Sequence, residues 1–380
     1  MRPLQMVDTK NQYQKIKKEV DEAVIAVLNS SQFIGGKVVN NFAEHLANYN
    51  GSKHVIPCAN GTDALQIAMM ALGIKAGDEV ITPSFTYIAT VEVAALLGIT
   101  PVFVEVDPKT FCIDPEVIEK AITPKTKAIV PVHLYGQAAN MEAIMAIASK
   151  YNLYVIEDNA QAIGSDFFFS DGTQKKTGSI GHIGCTSFYP SKNLGAFGDG
   201  GAMFTDDDEL AITLRMIASH GQSSRRYYHD VVGCNSRLDA VQAAILDIKL
   251  GHLDEYIQAR RKAADFYDKS FSGNKHIEIP FRAENNTHVF HQYTLILHDV
   301  NRDQLNLFLA EKGIPSMIYY PVPAHKQKMF EQFGSDKIEL PITDWLTQRV
   351  ISLPMHTELD EEQQQFIVNH VLEFINQSSI

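Results

Sequence analysis

No apolar run in the chain approaches the roughly 18 residues that read as a membrane span. The opening Met1-Arg-Pro-Leu-Gln-Met-Val-Asp8 has no apolar signal core, which makes the cytoplasm the expected location. Cysteine is sparse. Cys58, Cys112, Cys185 and Cys234 show no CxxC spacing, so a disulfide framework and a thiolate zinc site are excluded; each lies among apolar residues and is expected to be a reduced, buried thiol. No other metal-ligand spacing stands out. A GxxxxGK[ST] loop is missing, which excludes a nucleoside-triphosphate loop, and the lack of GxGxxG after a strand weakens a dinucleotide oxidoreductase. Positive charge is in the minority: 33 Lys and Arg against 45 Asp and Glu leave a net charge of -12, which disfavours nucleic acid as a partner. The short clusters Lys175-Lys176, Arg225-Arg226 and Arg260-Arg261-Lys262 are expected to be solvated faces.

What is present is an ordinary globular composition, 45% hydrophobic and 21% charged, so disorder and fibrous repeats are not indicated. A chain of 380 residues exceeds one ordinary core and divides here into a large domain over residues 1–250 and a smaller α+β domain over 251–380 that includes the linking helix. From about residue 55 to 205, β-rich runs alternate with helical patterns, the signature of an α/β fold with a mostly parallel sheet. Seven strands are expected at Val55–Ala59, Glu79–Pro83, Pro101–Val106, Lys127–Leu134, Tyr154–Asp158, Cys185–Tyr189 and Ala202–Thr205. Helices are expected between them, then from Arg237 to Leu250 and from Leu253 to Phe271. A strand at Tyr293–His298 and helices at Arg302–Lys312 and Asp360–Ile375 complete the smaller domain. In such a sheet ligands collect at the carboxyl ends of the strands.

Four places there carry chemistry. Asn60-Gly-Thr-Asp63 follows a strand and opens a helix: either Gly61 and Thr62 make an anion pocket from free amides and a hydroxyl, or this is a plain helix start whose Asp63 complements the dipole. Asp158 ends the apolar strand Tyr154-Val-Ile-Glu-Asp158, where a carboxylate is costly unless a cation faces it. A protonated pyridine nitrogen would be such a cation, and a capping or salt-bridging role is the other reading. Lys192 is surrounded by Pro190 and by glycines at 195, 198, 200 and 201, which permit close approach to a ligand. Desolvation there would favour the neutral amine that attacks an aldehyde. Tyr87, in Thr86-Tyr-Ile-Ala-Thr90, is either a core aromatic or a stacking platform for a flat ring. An amine on a glycine-rich turn, a buried acid and the hydroxyl of Ser187 are together the parts that hold and tune pyridoxal 5'-phosphate.

In this order these residues resemble the DegT-type nucleotide-sugar aminotransferases, a branch of the fold-type-I pyridoxal phosphate enzymes. The likeness spans nearly the whole chain: Gln32-Phe-Ile-Gly-Gly36, Asn60-Gly-Thr-Asp-Ala-Leu65, Thr82-Pro-Ser-Phe-Thr-Tyr87, the Asp158 strand, Ser187 through Gly201, Gly233-Cys-Asn-Ser-Arg237 and Ser352-Leu-Pro-Met-His356. Cys58 through Ile67, Leu134-Tyr-Gly-Gln137, Ser219-His-Gly-Gln222 and Gly233 through Asp239 look like the bacterial UDP-2-acetamido-2-deoxy-3-oxo-glucuronate aminotransferases. These add an amino group at carbon 3 of a UDP-linked uronic acid for surface polysaccharides.

The resemblance implies that Lys192 binds the cofactor aldehyde covalently and that Asp158 pairs with its ring nitrogen. Gln161 would lie against the ring near its hydroxyl, with Tyr87 stacked on the opposite side. Gly61, Thr62, the Asp63 amide and Ser187 would hold the phosphate. Asn235 from a neighbouring subunit would complete that site, making a homodimer the catalytic unit, and the neighbour's Arg237 would meet an anionic group of the substrate. Tyr319 and Tyr320 fall where substrate contacts are expected, although the subgroup pattern there is His-Tyr. L-Glutamate is the implied donor. Amination at carbon 4 of a deoxy-keto sugar is the alternative within this chemistry, and a non-catalytic sensor of the cofactor or of a sugar nucleotide the alternative outside it. Lys192 speaks against the family's dehydratase branch, which has histidine in its place. Phe167 through Thr177 is expected as a hairpin, either a plain surface one or one that extends a subunit interface.

Overall fold

Capped helices and short buried strands alternate through most of the chain, and the computed structural model describes residues 1–378. The elements run α1 (Thr9–Ser30), α2 (Gly36–Asn50), β1 (His54–Cys58), α3 (Gly61–Ala71), β2 (Glu79–Pro83), α4 (Ala89–Leu96), β3 (Thr100–Val104), α5 (Pro115–Ala121), β4 (Thr126–Ile129), α6 (Met141–Tyr151), β5 (Tyr154–Asp158), β6 (Asp166–Phe168), β7 (Gln174–Lys176), β8 (Ile183–Ser187), β9 (Gly201–Thr205), α7 (Asp208–Ala218), α8 (Ala240–Gly251) and α9 (Leu253–Phe271). Then follow β10 (Ile277–Glu278), β11 (Tyr293–Leu297), α10 (Arg302–Glu311), α11 (Pro341–Thr347), β12 (Val350–Leu353) and α12 (Glu361–Ser378).

Seven strands form one sheet in the order β3-β2-β4-β5-β8-β9-β1. Neighbours from β3 through β8 are parallel, whereas β9 runs antiparallel to both β8 and β1. Helices cover both faces: α3, α4 and α7 pack a core around Ile67, Ile156 and Met203, while α2 and α8 pack one around Phe42, Phe204 and Leu246. This is the expected mostly parallel α/β sheet. The local starts are legible in side-chain chemistry, since Asn60, Asp114, Asn140 and Asp207 each accept an amide hydrogen bond at the N-terminus of the helix that follows.

Three boundaries differ from expectation. The strand expected over Lys127–Leu134 stops at Ile129, because Pro131 has no N–H to extend the ladder; its carbonyl instead accepts from the Asp158 amide at 2.9 Å. The helix expected from Arg237 starts at Ala240, since Asn235 and Asp239 lie in short extended bridges to Ser219 and Ile34. Cys234 is only half-buried, unlike the other three thiols. The expected hairpin is present: Phe167 pairs with Lys175 while the Phe167 ring is buried against Phe169, and the tip is exposed.

The C-terminal unit is a three-stranded antiparallel sheet, β10-β11-β12, packed against α9, α10 and α12 around Tyr267, Tyr293 and Val371. The chain's beginning joins it: Leu4 packs on this core, Arg2 donates to the Glu358 carbonyl, and the Met355 amide donates to Met6 O at 3.2 Å. No helix among the described residues is long and apolar enough to cross a membrane, and no cluster of His, Cys, Asp and Glu among them has the geometry of a metal site.

Candidate active site

Strand β5 delivers two adjacent acids at its carboxyl end, and alternation sends their side chains to opposite faces. Glu157 Oε2 accepts from His133 Nε2 at 2.8 Å and from the Gly178 amide at 2.8 Å. Its Oε1 accepts from the amides of Ile180 at 2.7 Å and Gly181 at 2.6 Å. His133 Nδ1 accepts from the Ala139 amide, so the imidazole proton sits on Nε2. Burial alone would raise the Glu157 pKa, but the His133 and backbone donors outweigh it and hold the carboxyl below the usual range. The pair fastens the segment after β4 to β5, and the His133 amide adds a bond to Asp158 O at 3.1 Å.

Asp158 faces the cleft. Its Oδ2 accepts from Thr90 Oγ1 at 2.7 Å and its Oδ1 from the Ala160 amide at 3.1 Å. Because Thr90 spends its proton on Asp158, the Thr86 hydroxyl 3.0 Å away must donate to Thr90. Thr90 sits one helical turn after Thr86, at the start of α4; the sequence reading singled out that run for Tyr87 and missed the threonine pair.

Lys192 lies on the turn between β8 and β9 and is half-buried. Among the described residues its Nζ meets no hydrogen-bond acceptor. Burial pulls its ammonium down to about 8, against the opposing pull of the Asp158 charge. Nearby, His291 is buried with an unpartnered Nδ1, and burial together with the charges of Lys192 and Arg260 keeps it neutral. Nothing in the sequence around His291 marks it out, since its neighbours come from distant segments.

Gln161 turns back toward the same cleft. Its Oε1 accepts from the Tyr135 amide at 2.7 Å and its Nε2 donates to the Tyr320 hydroxyl at 3.2 Å. Tyr135 holds a left-handed backbone at φ 59° before Gly136, and its hydroxyl donates to the Tyr319 carbonyl. Tyr87 is 55% exposed, with its ring 6.0 Å from that of Tyr320, so it is a cleft wall and not a core aromatic. Tyr319 and Tyr320 are half-buried and belong to the same wall.

At the other end of the cleft, Ser187 closes β8 beside the start of α3. A Cβ at Gly61 would stand 2.7 Å from Ser187 Cβ, so only glycine lets the two meet. Asn60 Oδ1 takes the Asp63 amide at 2.8 Å, which commits that donor and leaves the amides of Gly61 and Thr62 without an intrahelical partner. Asn235 and Arg237 are exposed, and among the described residues neither hydrogen-bonds to Lys192, Asp158 or Ser187. Ser236 between them accepts from the Ala59 amide at 3.0 Å. Arg237 lines a groove of about 670 Å³ with Asn40, Lys53 and Arg215 that includes neither Lys192 nor Asp158.

The arrangement unites a low-pKa amine, a carboxylate with spare lone pairs, a helix N-terminus with two hydroxyls, and an aromatic wall. Comparison with known proteins gives the family. The chain is 48% identical over 94% of its length, and 96% of the relative's, to the UDP-2-acetamido-2-deoxy-3-oxo-D-glucuronate aminotransferase of Pseudomonas aeruginosa. It is 46% identical, over 94% of both chains, to a UDP-N-acetyl-3-dehydro-alpha-D-glucosamine 3-aminotransferase of Acidithiobacillus ferrooxidans. The solved structure of NtdA from Bacillus subtilis with bound cofactor PMP superimposes with a TM-score of 0.88 at 33% identity, covering 96% of this chain and 82% of that one. A family model matches residues 14–372, and the chain belongs to the DegT/DnrJ/EryC1/StrS aminotransferase family.

Proposed function

We propose that the chain moves an amino group from L-glutamate, released as 2-oxoglutarate, to the keto carbon of a nucleotide-linked sugar, with pyridoxal 5'-phosphate as its cofactor. The substrate we favour is UDP-2-acetamido-2-deoxy-3-oxo-glucuronate, converted to its 3-amino derivative for surface polysaccharide precursors. The observation that carries this reading is Lys192: an amine that meets no hydrogen-bond acceptor among the described residues, its pKa brought down to about 8 by burial, in a cleft shared with Asp158.

The residues fit the cofactor. Asp158 retains lone pairs for a cationic N–H, and the contact of Gly61 with Ser187 forms a cradle beside two free amides. When bound, the group supplies an aldehyde that takes up the amino group and a ring that accepts the electron pair freed at carbon. Ser187 Oγ, the Thr62 hydroxyl and the amides of Gly61 and Thr62 bind the phosphate, at the end of α3 where its dipole favours an anion. Asp158 keeps a ring N–H protonated, and the Thr86-to-Thr90 hydroxyl chain holds its carboxylate in the accepting orientation. Gln161 and Tyr87 would hold the ring between them, Gln161 being fixed by Tyr135 and Tyr320. Lys192 Nζ, neutral in part near pH 7 and in most molecules above pH 8, takes and returns the proton at the substrate carbon.

A second copy of the chain would supply Asn235 to the phosphate and Arg237 to an anionic group of the substrate. In support, the segment leading to them is exposed, with Val232 84% accessible, and Arg237 makes no ion pair among the described residues. The test has two parts. Purified protein given the cofactor is expected to develop a visible absorption band that Lys192→Ala lacks; a band that persists in the variant overturns the assignment. With glutamate and a panel of UDP- and dTDP-linked 3-keto and 4-keto sugars, 2-oxoglutarate and a 3-amino product should appear together by mass. Amination of 4-keto sugars alone would reject the carbon-3 substrate, and absence of turnover on the whole panel would favour a sensor.

A further inference from the structure

Helix α8 buries a lysine that the chemistry above does not use. Lys249 is 1% exposed, and its ammonium donates to the Gly195 carbonyl at 2.5 Å while standing 5.3 Å from the centre of the Phe197 ring. No carboxylate among the described residues neutralises it. The charged group that faces it is Arg260 on α9, itself 2% exposed and committed to the carbonyls of Phe290, His291 and Met355. A buried cation beside a neutral carbonyl and a second cation costs free energy that an apolar side chain of similar volume would not. The fold alone therefore gives no reason for a lysine here.

Both contacts fall on the turn that carries Lys192. That turn is drawn together by bonds from the Lys192 amide to Tyr189 O at 2.8 Å and from the Ala196 amide to Phe188 O at 2.7 Å. Asn193 Nδ2 ties it outward to Val289 O at 3.0 Å. A Cβ at Gly195 would stand 2.4 Å from Pro190 O, so the turn folds back on itself with no space for a side chain. Its far limb, from Gly195 onward, is the part that Lys249 grips.

We propose that Lys249 is a positioning residue whose ammonium clamps the Lys192 turn through the Gly195 carbonyl, so that Lys192 reaches the cleft from a fixed backbone. The inference rests on the reading of Lys192 given above, but the clamp has a signature independent of it. In the full-length chain without cofactor, Lys249→Met is expected to melt no lower than the wild type, because it removes a desolvated charge. Amide hydrogen exchange over residues 189–197 should nevertheless accelerate about tenfold or more, the scale of a lost hydrogen bond from a charged donor. The pH midpoint of the cofactor's visible band should shift as well. Lys249→Gln keeps a donor without the charge and should exchange at an intermediate rate; it carries the same test if the methionine variant does not fold. Unchanged exchange over 189–197 overturns the clamp, as does a uniform loss of protection across the large domain with a lower melting temperature, which would mark a general structural role. If the wild type forms no visible band, the reading of Lys192 fails while the exchange result still decides the clamp.

Discussion

Glu157 and Asp158 are neighbours on one strand, both carboxylates and both buried, yet they have opposite fates. Each oxygen of Glu157 receives two donors, which fills the lone-pair positions a carboxylate offers. Each oxygen of Asp158 receives one. A saturated group has nothing left to offer a ligand, so Glu157 serves the architecture. A half-satisfied group in a low-dielectric cleft is costly until a cation arrives, which is what the proposed pairing of Asp158 with a cationic cofactor ring would relieve. Lys192 follows the same logic with the opposite sign.

Substitution of each acid should split stability from chemistry. Glu157→Ala orphans His133 and three amides at once and is expected to lose about 3–5 kcal/mol of unfolding free energy in denaturant titrations. A loss below about 1 kcal/mol would show that water replaces the carboxylate and would erase the contrast. Asp158→Asn should leave the cofactor-free protein within about 1 kcal/mol of the wild type. Its turnover should nevertheless fall about 10²–10³-fold, as when a preorganised electrostatic partner of the reacting group is removed; near-normal turnover would place the ring nitrogen elsewhere.

A third effect, spread over several pH units, is in the pH dependence of stability. Glu157 has a folded pKa below its unfolded one, so its contribution is present at neutral pH and lost on acidification. Lys192 has a folded pKa of about 8 against 10.5, so the folded state binds fewer protons than the unfolded state between these values. Its cost to folding is complete below pH 8 and relieved as pH rises toward 10.5. Cofactor-free protein should therefore gain stability across that window by at most about 1.4 kcal/mol per pH unit from this group. Lys249 titrates in the same range, so the contribution of Lys192 is read as the difference between the wild type and Lys192→Met in pH-dependent unfolding; identical slopes would mean that the amine is not desolvated.

The sheet was legible because alternation of apolar strands with amphipathic helices is a local signal, and the cleft followed from the carboxyl ends of parallel strands. Helices α1 and α2 left less trace in the reading, although Ile16, Val20 and Val27 line one buried face of α1 at helical spacing. The motif residues Lys192, Asp158, Gln161, Ser187 and Gly61 could be named because they sit beside glycines, strand ends or a helix start. Their supports could not. His133 and Glu157 lie 24 residues apart, Lys249 and Gly195 lie 54 apart, and Gln161 meets Tyr320 across 159. Such pairs are created by the packing of whole elements, and no local spacing encodes them. The reversal of β9 was equally silent, since a strand's sequence does not carry its direction.

That reversal has a mechanical meaning. A parallel return from β8 would have to carry the chain back along the whole length of the sheet before its neighbour could start, usually through a helix. Antiparallel β9 instead lets the segment 188–200 act as a short span between two piers, Ser187 and Gly201, which pair directly across the sheet. Both piers abut the first turn of α3, where a Cβ at Gly201 would stand 2.5 Å from the Asn60 backbone. Lengthening either strand by one residue would shift the amine and the anion cradle together, whereas changes within the span would move the amine alone.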